Sequence, residues 1–115
     1  MNNVTWNLFI DDERFPNQVT WGNEAFYARY PWIIARSLNE VQALVGKHGF
    51  PGFVSFDHDL GDNQPSGKDI ANWLVSFDLD SGTMPSSFSY FVHSRNPVGR
   101  ANIESLLNSY LEQRK

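Results

Sequence analysis

Four short apolar runs, three of them closed abruptly by acids or a histidine, alternate with amphipathic stretches and restrict this chain to an alternating strand–helix fold. Residues 6–10 stop at Asp11-Asp12-Glu13-Arg14, and residues 32–35 form the second run. Phe53-Val54-Ser55-Phe56 stops at Asp57-His58-Asp59, and residues 88–92 stop at His93-Ser94-Arg95-Asn96. Near-continuous apolar character, rather than strict alternation, suits strands covered on both faces of a parallel sheet.

The stretches between the runs carry helix signals. Ser37 and Glu40 have capping-box spacing, Leu38, Val41, Leu44 and Val45 share a helical face, and Gly49 supplies a stop. Ser66 and Asp69 repeat that spacing ahead of Ile70, Trp73, Leu74 and Phe77. Asn96 as N-cap with Pro97 in the first turn opens a last helix marked by Ile103, Leu106, Leu107, Tyr110 and Leu111. Residues 15–31, with Pro16, Gly22 and Pro31, read as a long connection holding one short helix over residues 24–29. Residues 61–67 read as a polar loop and 78–87 as a turn-rich connection. The expectation is one α/β domain over residues 1–115, with four parallel strands and right-handed crossovers.

Composition removes several function classes. With no cysteine, thiolate chemistry and cysteine zinc sites are excluded, so any metal rests on oxygen and imidazole, which favours Mg or Mn. A net charge of −4 gives no basic surface for a polynucleotide. No apolar run approaches the roughly 20 residues that span a bilayer, and the first residues lack the regions of a signal peptide. A soluble, cytoplasmic protein is expected.

In open parallel sheets, ligands bind beyond the carboxyl ends of the strands. Asp11 and Asp12, Asp57 and Asp59, and His93 and Ser94 would therefore share one rim. Singly, each has an ordinary explanation: acids cap helices and turns, and a lone histidine is more often structural. His48 near a helix end suits the helix dipole. Their coincidence at three strand ends points to a site. Clustered carboxylates repel unless a cation neutralises them, and a divalent ion is the simplest solution. Phosphate is its natural partner, with helix N-termini at Ser66-Gly67-Lys68 and Asn96, and charge from Lys68 and Arg95. His58 and His93 are the groups suited to moving protons.

The pattern resembles the receiver domain of two-component response regulators over nearly the whole chain. Asp11-Asp12 corresponds to the acidic pair after strand one, Asp57 to the phosphoacceptor after strand three, and Ser94 to the Ser or Thr ending strand four. The resemblance implies a three-layer, flavodoxin-like sheet of strand order 2-1-3-4. A fifth strand is not expected after the last helix, so the strand-five lysine of signalling receivers has no counterpart. More closely, Asp11-Asp12-Glu13-Arg14, Asp57-His58-Asp59-Leu60-Gly61 and His93-Ser94-Arg95-Asn96-Pro97 resemble the cyclic-phosphate-processing receiver family. That resemblance implies metal-assisted action on a cyclic phosphate or cyclic nucleotide. Asp57-His58-Asp59 also resembles the Asp-x-Asp of haloacid-dehalogenase-type phosphatases, but that family carries the motif on its first strand.

On this reading Asp11, Asp12 and Asp57, with Asp59, hold a divalent ion. His58 and His93 act as general base and acid beside Asp57, and Asp59 orients His58. Ser94, Arg95, Asn96, Lys68 and Arg14 contact phosphate. The alternative is a non-catalytic receiver-like module that binds a metal, a nucleotide or a partner protein. A third reading makes Asp57 a phosphoacceptor.

Overall fold

The computed structural model describes residues 5–21, 27 and 31–114. Strands β1 (Asn7–Ile10), β2 (Ile33–Ala35), β3 (Phe53–Phe56) and β4 (Ser89–Val92) are joined by helices α1 (Leu38–His48) and α2 (Gly67–Ser81), and α3 (Pro97–Arg114) follows β4. The strands form one parallel sheet in the order β2-β1-β3-β4, as the sequence implied. A single 3-10 turn, Pro16–Gln18, lies in the β1–β2 connection. The short helix expected over residues 24–29 lies, apart from Tyr27, outside the described residues.

Strand alternation sorts the side chains onto two faces. Leu8, Ile10, Val54, Phe56 and Val92 meet Val41 and Val45 of α1, Ile70 and Leu74 of α2, and Ile103 and Leu107 of α3 in the main core. All three described helices thus cover the same face. The opposite face carries Phe9, packed with Val19, Tyr27, Trp32, Ile34 and Phe91. Among the described residues, its cover comes from Val19 and Tyr27 of the β1–β2 connection.

Helix ends follow the local signals. Ser37 Oγ accepts from the Glu40 amide, while Glu40 reaches back to the Arg36 amide, one residue before the cap. Ser66 and Asp69 bond reciprocally in a full capping box. Asn96 caps α3 by accepting from the Gly99 amide. Gly49 and Gly82 end α1 and α2 at positive φ, a region that costs glycine little.

One boundary differs from the sequence reading. Helix α2 continues through Asp78 to Ser81, into the stretch expected to be a turn-rich connection. The cause is tertiary. Buried Asp78 accepts hydrogen bonds from Arg114 Nε at 2.6 Å, the Tyr110 hydroxyl at 2.5 Å and the Met84 amide at 2.8 Å. The Arg114 bond outweighs burial and holds the carboxyl down at about 2, so it stays charged and clamps α2 to α3. Losing one member of such a pair costs roughly 3–5 kcal/mol when both are buried, and less here because Arg114 is 30% exposed. No helix among the described residues is long and apolar enough to cross a membrane.

Candidate functional site

The hydrogen-bond ladder runs one residue beyond each strand. The Asp11 amide donates to the Ala35 carbonyl, the Asp57 amide to Ile10, and the His93 amide to Phe56. These bonds hold residues 11, 57 and 93 in register across β1, β3 and β4. All three belong to the face of Phe9, Ser55 and Phe91, two residues on in each strand, so their side chains meet at one rim. A ligand atom from each of Asp11, Asp57 and His93 lies within 4.8 Å of the other two, and all three residues are buried.

Each group is tightly held. Asp11 Oδ1 accepts from the amides of Glu13 and Arg14 at 3.0 and 2.9 Å. Its Oδ2 meets His93 Nε2 at 3.1 Å and Arg14 Nη1 at 3.2 Å. Burial pushes this carboxyl up, but the bonds from His93 and the two amides more than offset it, and Asp11 lies well below the usual carboxylate range. Among the described residues, the Asp57 carboxylate meets the His58 amide at 2.9 Å and the Arg14 guanidinium at 3.7 Å. Burial and then the charge of Asp11 raise it to about 6. Burial and Asp11 thus outweigh the Arg14 countercharge at Asp57, a deficit that a divalent cation would relieve. Two buried carboxylates and an imidazole are a suitable donor set for such an ion.

His93 has both ring nitrogens engaged. Nδ1 bonds Ser55 Oγ at 2.7 Å, and Ser55 in turn bonds the Tyr27 hydroxyl at 2.5 Å. The ring lies flat on Phe9, with centroids 4.6 Å apart and planes 5° from parallel. Small Ser55, paired with Phe9 in the sheet, leaves space for that stack.

Above the cluster opens a cleft of about 420 Å³ lined by Asp12, Glu13, Arg14, Asp57, Asp59, Gly61, Ser94, Arg95 and Asn96. Trp21 stands beside it and donates through its indole nitrogen to the His93 carbonyl at 2.7 Å. The guanidiniums of Arg14 and Arg95 lie 4.9 and 5.1 Å from its ring centroid, so one indole holds two cations at the cleft. Arg36 closes the loop below by donating to the carbonyls of Asp11 and Arg14.

His58 occupies a separate position. Its Nδ1 bonds Asp59 Oδ1 at 3.0 Å, and the other Asp59 oxygen accepts from Asn96 at 3.2 Å. The His58 and Asn96 bonds lower Asp59, so Asp59 is the acceptor and His58 Nδ1 carries the proton. The imidazole lies against Gly99, where an added Cβ would fall 2.3 Å from the ring. The Asp57–Asp59 loop is pinned from beneath by the Gly67 amide, which donates to the His58 carbonyl at 2.7 Å.

Of the residues singled out from sequence, Asp11, Asp57 and His93 form the buried cluster. Asp12, Asp59, Arg14, Ser94, Arg95 and Asn96 line the cleft above it. His58 sits beside Asp59, and both His58 and Lys68, the latter exposed in the first turn of α2, lie outside the lining. Sequence reasoning did not find Ser55, Tyr27, Trp21 or Gly99. Ser55 had a signal, as the only polar residue in an apolar strand. Trp21 and Tyr27 belong to the aromatic segment over residues 15–31, for which covering the rim and packing in the core were both open readings, and Gly99 had no signal.

A solved structure similar to this chain is a CheY-like response regulator receiver domain protein from Methanospirillum hungatei JF-1. It is 16% identical, with 96% of this chain and 97% of that one covered at a TM-score of 0.47. No curated protein matches significantly. The family described as the cyclic-phosphate processing receiver domain matches residues 6–109, and the chain belongs to that family.

Proposed function

We propose that this protein hydrolyses a cyclic phosphodiester with the help of a divalent cation. The observation carrying this reading is the buried Asp11–Asp57–His93 cluster beneath a cleft that also holds the Arg14 and Arg95 guanidiniums. Family membership supports the substrate class. An ion held by Asp11, Asp57 and His93 would polarise the phosphoryl group and make water more acidic.

The chain's own groups supply the rest. Arg14 and Arg95 pair with phosphoryl oxygens and balance the charge that builds as water adds and one ring P–O bond breaks. Asp59, which lines the cleft, fixes the tautomer of His58, and His58 behind it would exchange a proton with the attacking water or the departing alkoxide through an intervening water. His93, with Nδ1 and Nε2 both bonded, serves the cluster and not proton transfer. The product is a phosphomonoester.

The direct test incubates the full chain with a 2′,3′-cyclic nucleotide and with an oligonucleotide ending in a cyclic phosphate. Phosphorus NMR follows ring opening with Mg, with Mn and with chelator. Metal-dependent opening is expected, and His58→Ala should slow it roughly 10²–10⁴-fold. Intact substrate under every metal, or full activity in His58→Ala, would sink the mechanism. The internal satisfaction of Asp11 and His93 favours a second reading, a module that binds such a ligand without turnover. Calorimetric binding of a ligand that stays intact for hours would select it.

A further inference from the structure

Ser55 is the single polar residue of β3 and is fully buried. A hydroxyl in such a place is costly unless bonded, and this one is bonded on both sides. It joins the Tyr27 hydroxyl to His93 Nδ1, and His93 Nε2 continues the row to Asp11. Burial raises the Tyr27 phenol to about 12, so it remains an O–H group.

With a single ring proton on His93, this row has two self-consistent directions. In one, Tyr27 donates to Ser55, Ser55 donates to Nδ1, and Nε2–H donates to the Asp11 carboxylate. In the other, Nδ1–H donates to Ser55, Ser55 donates to the Tyr27 oxygen, and the Nε2 lone pair faces Asp11 and Asp57. The second direction sets a lone pair against two carboxylates that Arg14 alone offsets, at 3.2 and 3.7 Å, so a further cation among them favours it. The first is therefore the cation-free arrangement.

We propose that Ser55 and Tyr27 are positioning residues that reverse this row when a cation enters, presenting His93 Nε2 as a nitrogen ligand and tuning the site to Mn²⁺ and other first-row ions over Mg²⁺. The proposal rests on the divalent-ion reading above. One proton leaves Nε2 and one arrives at Nδ1, both exchanged with solvent, while the two hydroxyls only rotate. Selectivity follows from the donor: an imidazole nitrogen adds much to the affinity for a first-row ion and little for Mg²⁺, which prefers oxygen and retains its water. Ser55 and Tyr27 act as groups behind a metal-bound histidine generally do, by fixing its tautomer and ring orientation.

The test uses the full chain with the metals alone. Pulsed EPR of the Mn²⁺-loaded protein is expected to show coupling to one imidazole nitrogen, and calorimetry to show tighter binding of Mn²⁺ than of Mg²⁺. Ser55→Ala should weaken Mn²⁺ binding roughly 10–100-fold and leave Mg²⁺ binding nearly unchanged. Tyr27→Phe, which keeps the ring, should move Mn²⁺ affinity the same way by less, and it carries the comparison if Ser55→Ala does not fold. Absence of nitrogen coupling, equal affinities for the two ions, or wild-type Mn²⁺ affinity in the folded variants would each overturn the proposal. Ring opening without nitrogen coupling removes this inference and leaves the hydrolase reading. Nitrogen coupling without ring opening does the reverse.

Discussion

Asp57→Asn is expected to stabilise the metal-free protein at neutral pH while abolishing its use of a divalent cation. Burial and the neighbouring charge of Asp11 raise the Asp57 carboxyl to about 6, so ionising it costs the folded state more than the unfolded one. Below about pH 4 the carboxyl is protonated in both states, and its contribution to stability is fully present. That contribution is lost as pH rises through about 6, because the folded protein must then carry a crowded charge. The neutral amide avoids this cost, still accepts from the His58 amide, and offers a donor to Asp11. The gain above pH 7 is roughly 1–3 kcal/mol, with no gain below pH 4. Saturating Mn²⁺ should reverse the order, since an ion at 100 times its dissociation constant stabilises the wild type by about 2.7 kcal/mol and has lost a ligand in the variant. Urea unfolding across pH, with and without the ion, checks both signs. A variant less stable at pH 8 without metal would contradict the account of Asp57.

Gly67→Ala is expected to cost more than about 3 kcal/mol, although alanine is the better helix former by about 1 kcal/mol. The added Cβ would lie 1.9 Å from the Asp57 carbonyl oxygen and 3.0 Å from the His58 Cα. Both neighbours are backbone in the loop that follows β3, so no side-chain rotation relieves the clash. Either α2 withdraws or the loop carrying Asp57 and His58 shifts. A fall in melting temperature of roughly 10–20 °C should follow, with weakened metal binding in whatever remains folded. Gly46→Ala is the matched control, because its Cβ would meet nothing within 4 Å. Equal melting of the two variants would refute the close approach.

Much of this was legible from residues alone, for identifiable reasons. Strand order came from the resemblance to receiver domains, whereas the convergence of Asp11, Asp57 and His93 follows from apolar runs that stop at polar residues, because a parallel sheet has only one carboxyl rim. Helix starts at Ser37, Ser66 and Asn96 were legible because capping is a local interaction. The end of α2 was not, since Asp78 is retained in the helix by Arg114, a partner 36 residues away. Nor was the division of labour between the histidines. Strand-end position puts His58 and His93 alike on the rim with the acids, but only packing reveals that one is stacked on Phe9 and bonded at both nitrogens while the other rests on Gly99. The pairing of two arginines on Trp21 was hidden for the same reason.

The 82 residues separating His93 from Asp11 also bear on how the molecule is made and lost. Their meeting requires β1, β3 and β4 to be laid side by side, a non-local arrangement whose loop entropy must be met before any reward. The rim is therefore expected to assemble late, with an ion that binds there absent from the folding transition state. Such an ion leaves the refolding rate alone and slows unfolding. Loaded protein would fold no sooner than empty protein in stopped-flow refolding, yet survive longer under a protease that captures unfolded chains.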